Sequence, residues 1–210
     1  MKRWLKTYDD CVPAEIDADR YRSVVEMFDE AARIYARNVA FECFGKTMTY
    51  AEVESKSRAV AAYLQINMGV QHGDRIALMC PNIFAFPIAM LGILRAGAVQ
   101  VNVNPMYTPR ELEHQLVDSG AEEILIYGGS TAVLAEIIDR TPIETVVTID
   151  LGDGLTLPIS TPVVDERLCD TVKFSDMLDA GAGLDFKPAD LTGQDNIFFQ
   201  YTGGTTGPSK

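Results

Sequence analysis

Histidine, tryptophan and cysteine are scarce in this chain: 210 residues hold two histidines, His72 and His114, one tryptophan and four cysteines. Cys11, Cys43, Cys80 and Cys169 are widely spaced and form no CxxC pair. That argues against a zinc site and against a disulfide framework, and predicts reduced, mostly buried thiols. Basic residues are few as well, with 18 Lys and Arg against 30 Asp and Glu and a formal charge of -12. A phosphate backbone demands clustered cations, so nucleic acid is not expected as a partner. The same balance leaves no electrostatic dock for an anionic membrane surface. The opening MKRWLKTYDD has no apolar run behind its basic residues, unlike a signal peptide. The longest uncharged stretch considered, Ile76 to Leu94, has 19 residues, close to the ~20 of a spanning helix. Pro81-Asn82 divides it into a buried strand and a buried helix, and Pro87 is expected to kink that helix. No internal repeat or low-complexity tract occurs.

What is there is ordinary globular material: 47% hydrophobic and 23% charged residues, in a chain long enough to bury about 70% of its unfolded surface. Ser23 and Glu26 form a capping-box pair that opens a helix to about Tyr35, with Val24, Phe28, Ala31 and Tyr35 on one face. Val39–Phe44 and Thr47–Tyr50 read as a hairpin about Gly45-Lys46. Thr49 and Glu52 cap a second helix that ends near Gly69.

From Arg75 onward the pattern alternates. Strands are predicted at 75–80, 98–103, 123–127 and 144–149. Helices are predicted at 82–95, ended by Gly97; from Thr108-Pro109-Arg110-Glu111 to Gly120; and at 131–140. This order predicts an α/β fold, a mostly parallel sheet flanked by helices on both faces. Residues 151–171 read as a surface loop, 174–180 as a short helix with Ser175 as its cap, broken by Gly181-Ala182-Gly183, and 196–201 as a last apolar strand. The expected organisation is a helix and opening hairpin over 1–50, a β/α sheet unit over 51–150, a loop-rich segment over 151–190, and a strand with a ligand loop over 191–210.

The sharpest chemical signal is Tyr201-Thr202-Gly203-Gly204-Thr205-Thr206-Gly207-Pro208-Ser209-Lys210, directly behind the strand Ile197-Phe198-Phe199-Gln200. Glycines let a backbone approach a ligand and turn successive amides toward an anion. Three threonine hydroxyls and a mobile lysine complete a phosphate cradle. The spacing is not that of a Walker loop, because Pro208-Ser209 separates Gly207 from Lys210. Gly152-x-Gly154 and Gly181-x-Gly183 both lack the third glycine of a dinucleotide fingerprint.

YTGGTTGPSK resembles the phosphate-binding motif of adenylate-forming enzymes: acyl-CoA synthetases, luciferases and peptide-synthetase adenylation domains. Leu91 to Gly120 (LGILRAGAVQVNVNPMYTPRELEHQLVDSG) and Gly73-Asp74-Arg75-Ile76-Ala77-Leu78-Met79 with Pro81-Asn82 are similar to bacterial long-chain fatty-acid–CoA ligases. Pro13-Ala14-Glu15-Ile16 and Asp19-Arg20-Tyr21 fit the same subfamily. The resemblance spans nearly the whole chain and is weakest across Leu151 to Thr171.

It implies a reaction in which a fatty-acid carboxylate attacks the α-phosphate of ATP, releasing pyrophosphate, and coenzyme A then displaces AMP. It implies that Thr202, Gly203, Gly204, Thr205, Thr206, Gly207 and Lys210 hold the β- and γ-phosphates, and that Thr202 helps bind Mg²⁺. Family members run to more than twice this length, so the chain is expected to be the N-terminal part of a large AMP-binding domain. The resemblance implies that the family's C-terminal domain lies outside these 210 residues and that no catalytic residue is assignable among them, and the chain is expected to be inactive alone. A cytoplasmic location follows from the resemblance, with peripheral association at the inner membrane face at most; a homodimer rests on it alone. The alternatives are another acyl- or aryl-acid adenylating ligase, and a non-catalytic nucleotide- or partner-binding module. Tyr107, Arg110, Glu111 and Glu113 are read as a capped helix start with solvated charges, Asn102 and Asn104 as turn formers, and Phe84, Phe86 and Met90 as core.

Overall fold

Three capping residues set where helices begin. Ser23 precedes α1 (Val24–Ile34), and its hydroxyl accepts the Glu26 amide. After the hairpin of β1 (Val39–Cys43) and β2 (Lys46–Thr49), Thr49 and Glu52 close a reciprocal capping box at the start of α2 (Tyr50–Ile66). Thr108 and Glu111 do the same for the helix Pro109–Ser119. Such side chains satisfy first-turn amides that have no helical partner, each for about 1 kcal/mol. The computed structural model describes residues 3–154, 159 and 162–202.

β3 (Arg75–Met79), α3 (Ala85–Ala96), β4 (Val99–Asn102), α4 (Pro109–Ser119), β5 (Glu123–Tyr127), α5 (Thr131–Ala135) and β6 (Thr145–Ile149) follow in alternation. β7 (Val172–Lys173), α6 (Phe174–Gly181) and β8 (Phe198–Gln200) come last. The sheet order is β7-β6-β5-β3-β4-β8, and all five pairings are parallel.

Strand periodicity sorts the core into two layers. Ile76 and Leu78 of β3, Leu125 of β5, and Val147 and Ile149 of β6 pack with α2, α3 and α6. Ala77, Met79, Val101, Ile124 and Ile126 pack on the other face with Leu112 and Leu116 of α4, and with Leu134 and Ile137. Successive residues point to opposite faces, so strands covered on both sides carry unbroken apolar runs. Two glycines set the helix spacing on the first face. A Cβ on Gly92 of α3 would sit 2.4 Å from Val60 of α2, and one on Gly181 of α6 would sit 2.0 Å from the Ala59 carbonyl oxygen.

Several expectations are corrected. α1 does not bury Val24 or Tyr35, which are exposed; it turns Phe28 and Ala32 inward, rotated from the expected face. The hairpin turn sits on Phe44 and Gly45, both at positive φ, one position before the predicted one. Pro87 produces no mid-helix break, because α3 starts at Ala85 and Pro87 falls in its first turn, where an amide has no helical acceptor. The single helix expected over 131–140 is one α turn followed by a 3-10 turn at Ile138–Arg140. Lys173, not Ser175, precedes α6, and Gly181 belongs to the helix. β8 is three residues long instead of six. Of the cysteines, Cys80 is buried, Cys43 is half-buried, and Cys11 and Cys169 are exposed.

Candidate functional site

In a parallel sheet every strand ends at the same side, and ligands bind outside those carboxyl ends where the connections leave in opposite directions. Here α3 leaves β3 toward one face and α4 leaves β4 toward the other. A cleft of about 580 Å³ opens at that point. It lies between the ends of β3 (Cys80, Asn82), β4 (Asn102, Asn104) and β8 (Gln200, Tyr201), with Phe86, Tyr107 and Glu111 completing its wall. A second cleft of about 590 Å³ lies at the opposite end of the sheet, beside His72 and Lys187.

The first cleft is lined by amides and phenols together with one carboxyl, that of Glu111. Cys80 is no nucleophile there: burial pushes its thiol far up, and its Sγ lies 3.3 Å from the Pro81 carbonyl. Glu111 is engaged by Thr108, whose hydroxyl donates to it at 2.7 Å and holds its carboxyl below the ordinary value. Asn104 accepts the Met106 amide at 3.0 Å, which is the turn role expected of it. Asn102 departs from that role. It is the last residue of β4, and its Nδ2 donates to Gln200 Oε1 at 2.8 Å across to β8. Tyr201 donates to Asp118 of α4 at 2.5 Å. Burial and that carboxylate raise its phenol, so it acts as a donor and not as an anion.

Thr202 follows immediately and is exposed. Gly203, Gly204, Thr205, Thr206, Gly207 and Lys210 lie outside the described residues. Among the described lining residues none is cationic. Among the described residues no group of three or more His, Cys, Asp or Glu could hold a metal ion.

A family model described as AMP-binding enzyme matches residues 28–210. The chain belongs to the AMP-binding enzyme family. It is 46% identical over its whole length to a long-chain-fatty-acid–CoA ligase of Yersinia pestis, and covers 39% of that protein. The figures for the ligase of the same name from Escherichia coli O157:H7 are 43% and 39%, and for that of Bacillus subtilis 29% and 39%. The chain thus spans about two-fifths of the length of these curated relatives. Among solved structures, an anthranilate CoA ligase in complex with anthranoyl-AMP aligns with a TM-score of 0.76 at 21% identity, over 90% of this chain and 33% of that one. A long-chain-fatty-acid–CoA ligase of Archaeoglobus fulgidus aligns with a TM-score of 0.72 at 23% identity, over 96% and 38%. At these identities the structural likeness shows the fold of the family's N-terminal region.

Within this member of the family, residues read from the sequence as structural keep that work. Glu113 pairs with Arg140 at 2.9 Å, Tyr107 packs into the second core layer, and Phe84 is buried. The sequence reading missed Asn102, Gln200 and Asp118 as neighbours of the motif. The available signal was the pair Gln100 and Asn102, two amides inside a strand otherwise built of valines.

Proposed function

We propose that this chain forms part of the AMP-binding domain of an AMP-forming long-chain fatty-acid–CoA ligase. The observation that carries the reading is the 46% identity, over every residue of the chain, to a curated ligase of that name. The cleft at the carboxyl ends of β3, β4 and β8 supports it, because Tyr201, the residue directly before Thr202, lines it. ATP would supply the phosphorus at which a carboxylate adds and the pyrophosphate that leaves. The amides of Gly203, Gly204 and Gly207, the hydroxyls of Thr205 and Thr206, and the ammonium of Lys210 would grip the leaving phosphates and offset their charge. Thr202 would add a hydroxyl oxygen for Mg²⁺, which suits a hard, oxygen-seeking cation. Coenzyme A and a fatty acid would be the other substrates, and the site of action cytoplasmic, with at most peripheral membrane contact. Among the described residues no helix is long and apolar enough to cross a membrane.

The test uses the full-length gene product. Palmitate-dependent exchange of pyrophosphate into ATP, followed by formation of palmitoyl-CoA on adding coenzyme A, is the expected result. Exchange with benzoate or an amino acid but not with palmitate would reassign the substrate class. Absence of exchange with every carboxylic acid would remove the ligase reading. The 210-residue chain alone is expected to give no exchange.

A further inference from the structure

We infer that Asn102 is a positioning residue for the phosphate loop, acting through Gln200. This rests on the ligase reading above, and deepens it by naming what holds the loop's base in place. β8 gives that base little anchorage of its own. It has three residues, it pairs among the described residues only with β4, and both Phe198 and Gln200 are exposed. Short edge strands of this kind open easily. Two side-chain bonds compensate, one on each face of the strand's end. Asn102 holds Gln200 at 2.8 Å, and Asp118 holds Tyr201 at 2.5 Å. Thr202, the first motif residue, is the next in the chain.

Asn102 is itself held by two buried amides. Gln100 Nε2 donates to its Oδ1 at 3.4 Å, and Gln115 Nε2 donates to its backbone carbonyl at 2.9 Å. Gln100 and Gln115 are 0% and 1% exposed, and the Oε1 of each has no partner among the described residues. Unsatisfied buried acceptors are rare because they are costly. A valine at position 100 would continue the strand's apolar pattern without that cost. Two buried glutamines that accept this cost, and whose Nε2 groups both donate to Asn102, mark it as a residue whose orientation matters more than core stability. The chain that enters the phosphate loop is thereby registered against β4, the strand that forms the floor of the cleft.

The experiment uses the full-length protein and the variants Asn102→Ala, Gln200→Ala and their double. The readouts are the Kd for ATP by calorimetry, KM and kcat in pyrophosphate exchange, hydrogen exchange over residues 196–202, and thermal midpoint. Each single variant is expected to raise Kd and KM for ATP about fivefold, the factor one net hydrogen bond supports. The double is expected to be no worse than either single, because both remove the same bond. Exchange over 196–202 should quicken, while kcat and KM for the fatty acid stay within twofold. Gln200 lies on the exposed edge, so its variant remains informative even where Asn102→Ala fails to fold. Unchanged ATP affinity and unchanged exchange in Gln200→Ala would overturn the inference. So would additive effects in the double, or a fall in kcat and thermal midpoint with KM for ATP unmoved. A wild-type protein that binds ATP but catalyses no exchange would end the ligase reading, and Kd would still decide the role of Asn102; one that binds no ATP would end both.

Discussion

Removing Asp29 should harm the protein far more than removing its partner, Arg95. Arg95 of α3 is 1% exposed, so a guanidinium, a cationic group, sits in the core. It donates to Asp29 of α1 at 2.5 Å and to Ser57 of α2 at 2.9 Å, with its guanidinium carbon 5.9 Å from the Phe28 ring centre. One side chain thus ties three helices. In Asp29→Ala the buried cation keeps only a hydroxyl and a ring face. Stripping one member from a buried pair costs about 3–5 kcal/mol. The Asp29 side chain is 39% exposed, so water already screens part of the attraction and the low end applies, about 3 kcal/mol. In Arg95→Met the charge itself disappears, the stem volume is largely kept, and Asp29 can hydrate. That change should cost about 1 kcal/mol or less. The double variant should match Arg95→Met. Chemical denaturation followed by circular dichroism reads all three. An Asp29→Ala cost below about 1 kcal/mol, or an Arg95→Met cost above that of Asp29→Ala, would refute the reasoning.

The carboxyl of Glu123 is pushed up to about 7 by burial first, then by Asp74, Glu122 and Glu144. A raised carboxyl means that the folded state holds its proton longer than the unfolded one, so its contribution is favourable at low pH and is lost as pH rises from about 4.5 to about 7. Glu123→Gln should therefore stabilise the protein at pH 8 and change nothing at pH 4, visible as a gap between the two melting curves that opens across that window. The full shift corresponds to about 3 kcal/mol, and half exposure to water brings the expectation to about 1 kcal/mol. Gly181→Ala should cost about 2–3 kcal/mol, because its Cβ would meet the Ala59 carbonyl oxygen at 2.0 Å and backbone cannot step aside. Gly183→Ala, with only the Ala180 oxygen at 3.9 Å, should melt within a degree or two of wild type. Lys210→Ala should depress pyrophosphate exchange in the full-length protein at least tenfold while leaving its thermal midpoint in place.

Local chemistry was legible where it is enforced locally. Thr49 with Glu52, and Thr108 with Pro109 and Glu111, mark helix starts that the structure reproduces. Gly97 and Gly120 end α3 and α4 at φ of 90° and 62°, as left-handed terminators do. β5 matches residue for residue, since a run that is apolar on both faces admits little else. Expectations failed where distant chain intervened. The segment after Thr131 has helical periodicity, yet Thr131 turns its hydroxyl to the Gly128 carbonyl and accepts the Asp165 amide. Arg140 is drawn to Glu113 of α4, and the helix breaks at Ile137. The cleft was illegible for the same reason. The motif itself can be read from ten consecutive letters, but nothing in them says that β8 crosses the sheet to lie beside β4. Only that pairing brings Gln200 to Asn102, 98 positions away, and Tyr201 to Asp118, 83 positions away.

The sheet distributes its stability unevenly, and the motif follows the weak end. β3 and β5 sit centrally, with most of their side chains fully buried, and each well-buried aliphatic residue there contributes about 1.5–3 kcal/mol. β8 buries none of its three residues fully. Under the proposed function the loop behind β8 would admit a triphosphate, hold it and release pyrophosphate, and it would gain from a base that can yield, because a fully buried strand would open only with the whole core. It also needs that base to return to one register, since a phosphate cradle works only when its donors converge. Hydrophobic burial cannot supply both properties, being non-directional. Directional bonds can: an amide to Gln200 on one face and a carboxylate to Tyr201 on the other restore a single position each time the strand closes. That division of labour explains why polar side chains gather at the end of β4, a strand otherwise built of valines.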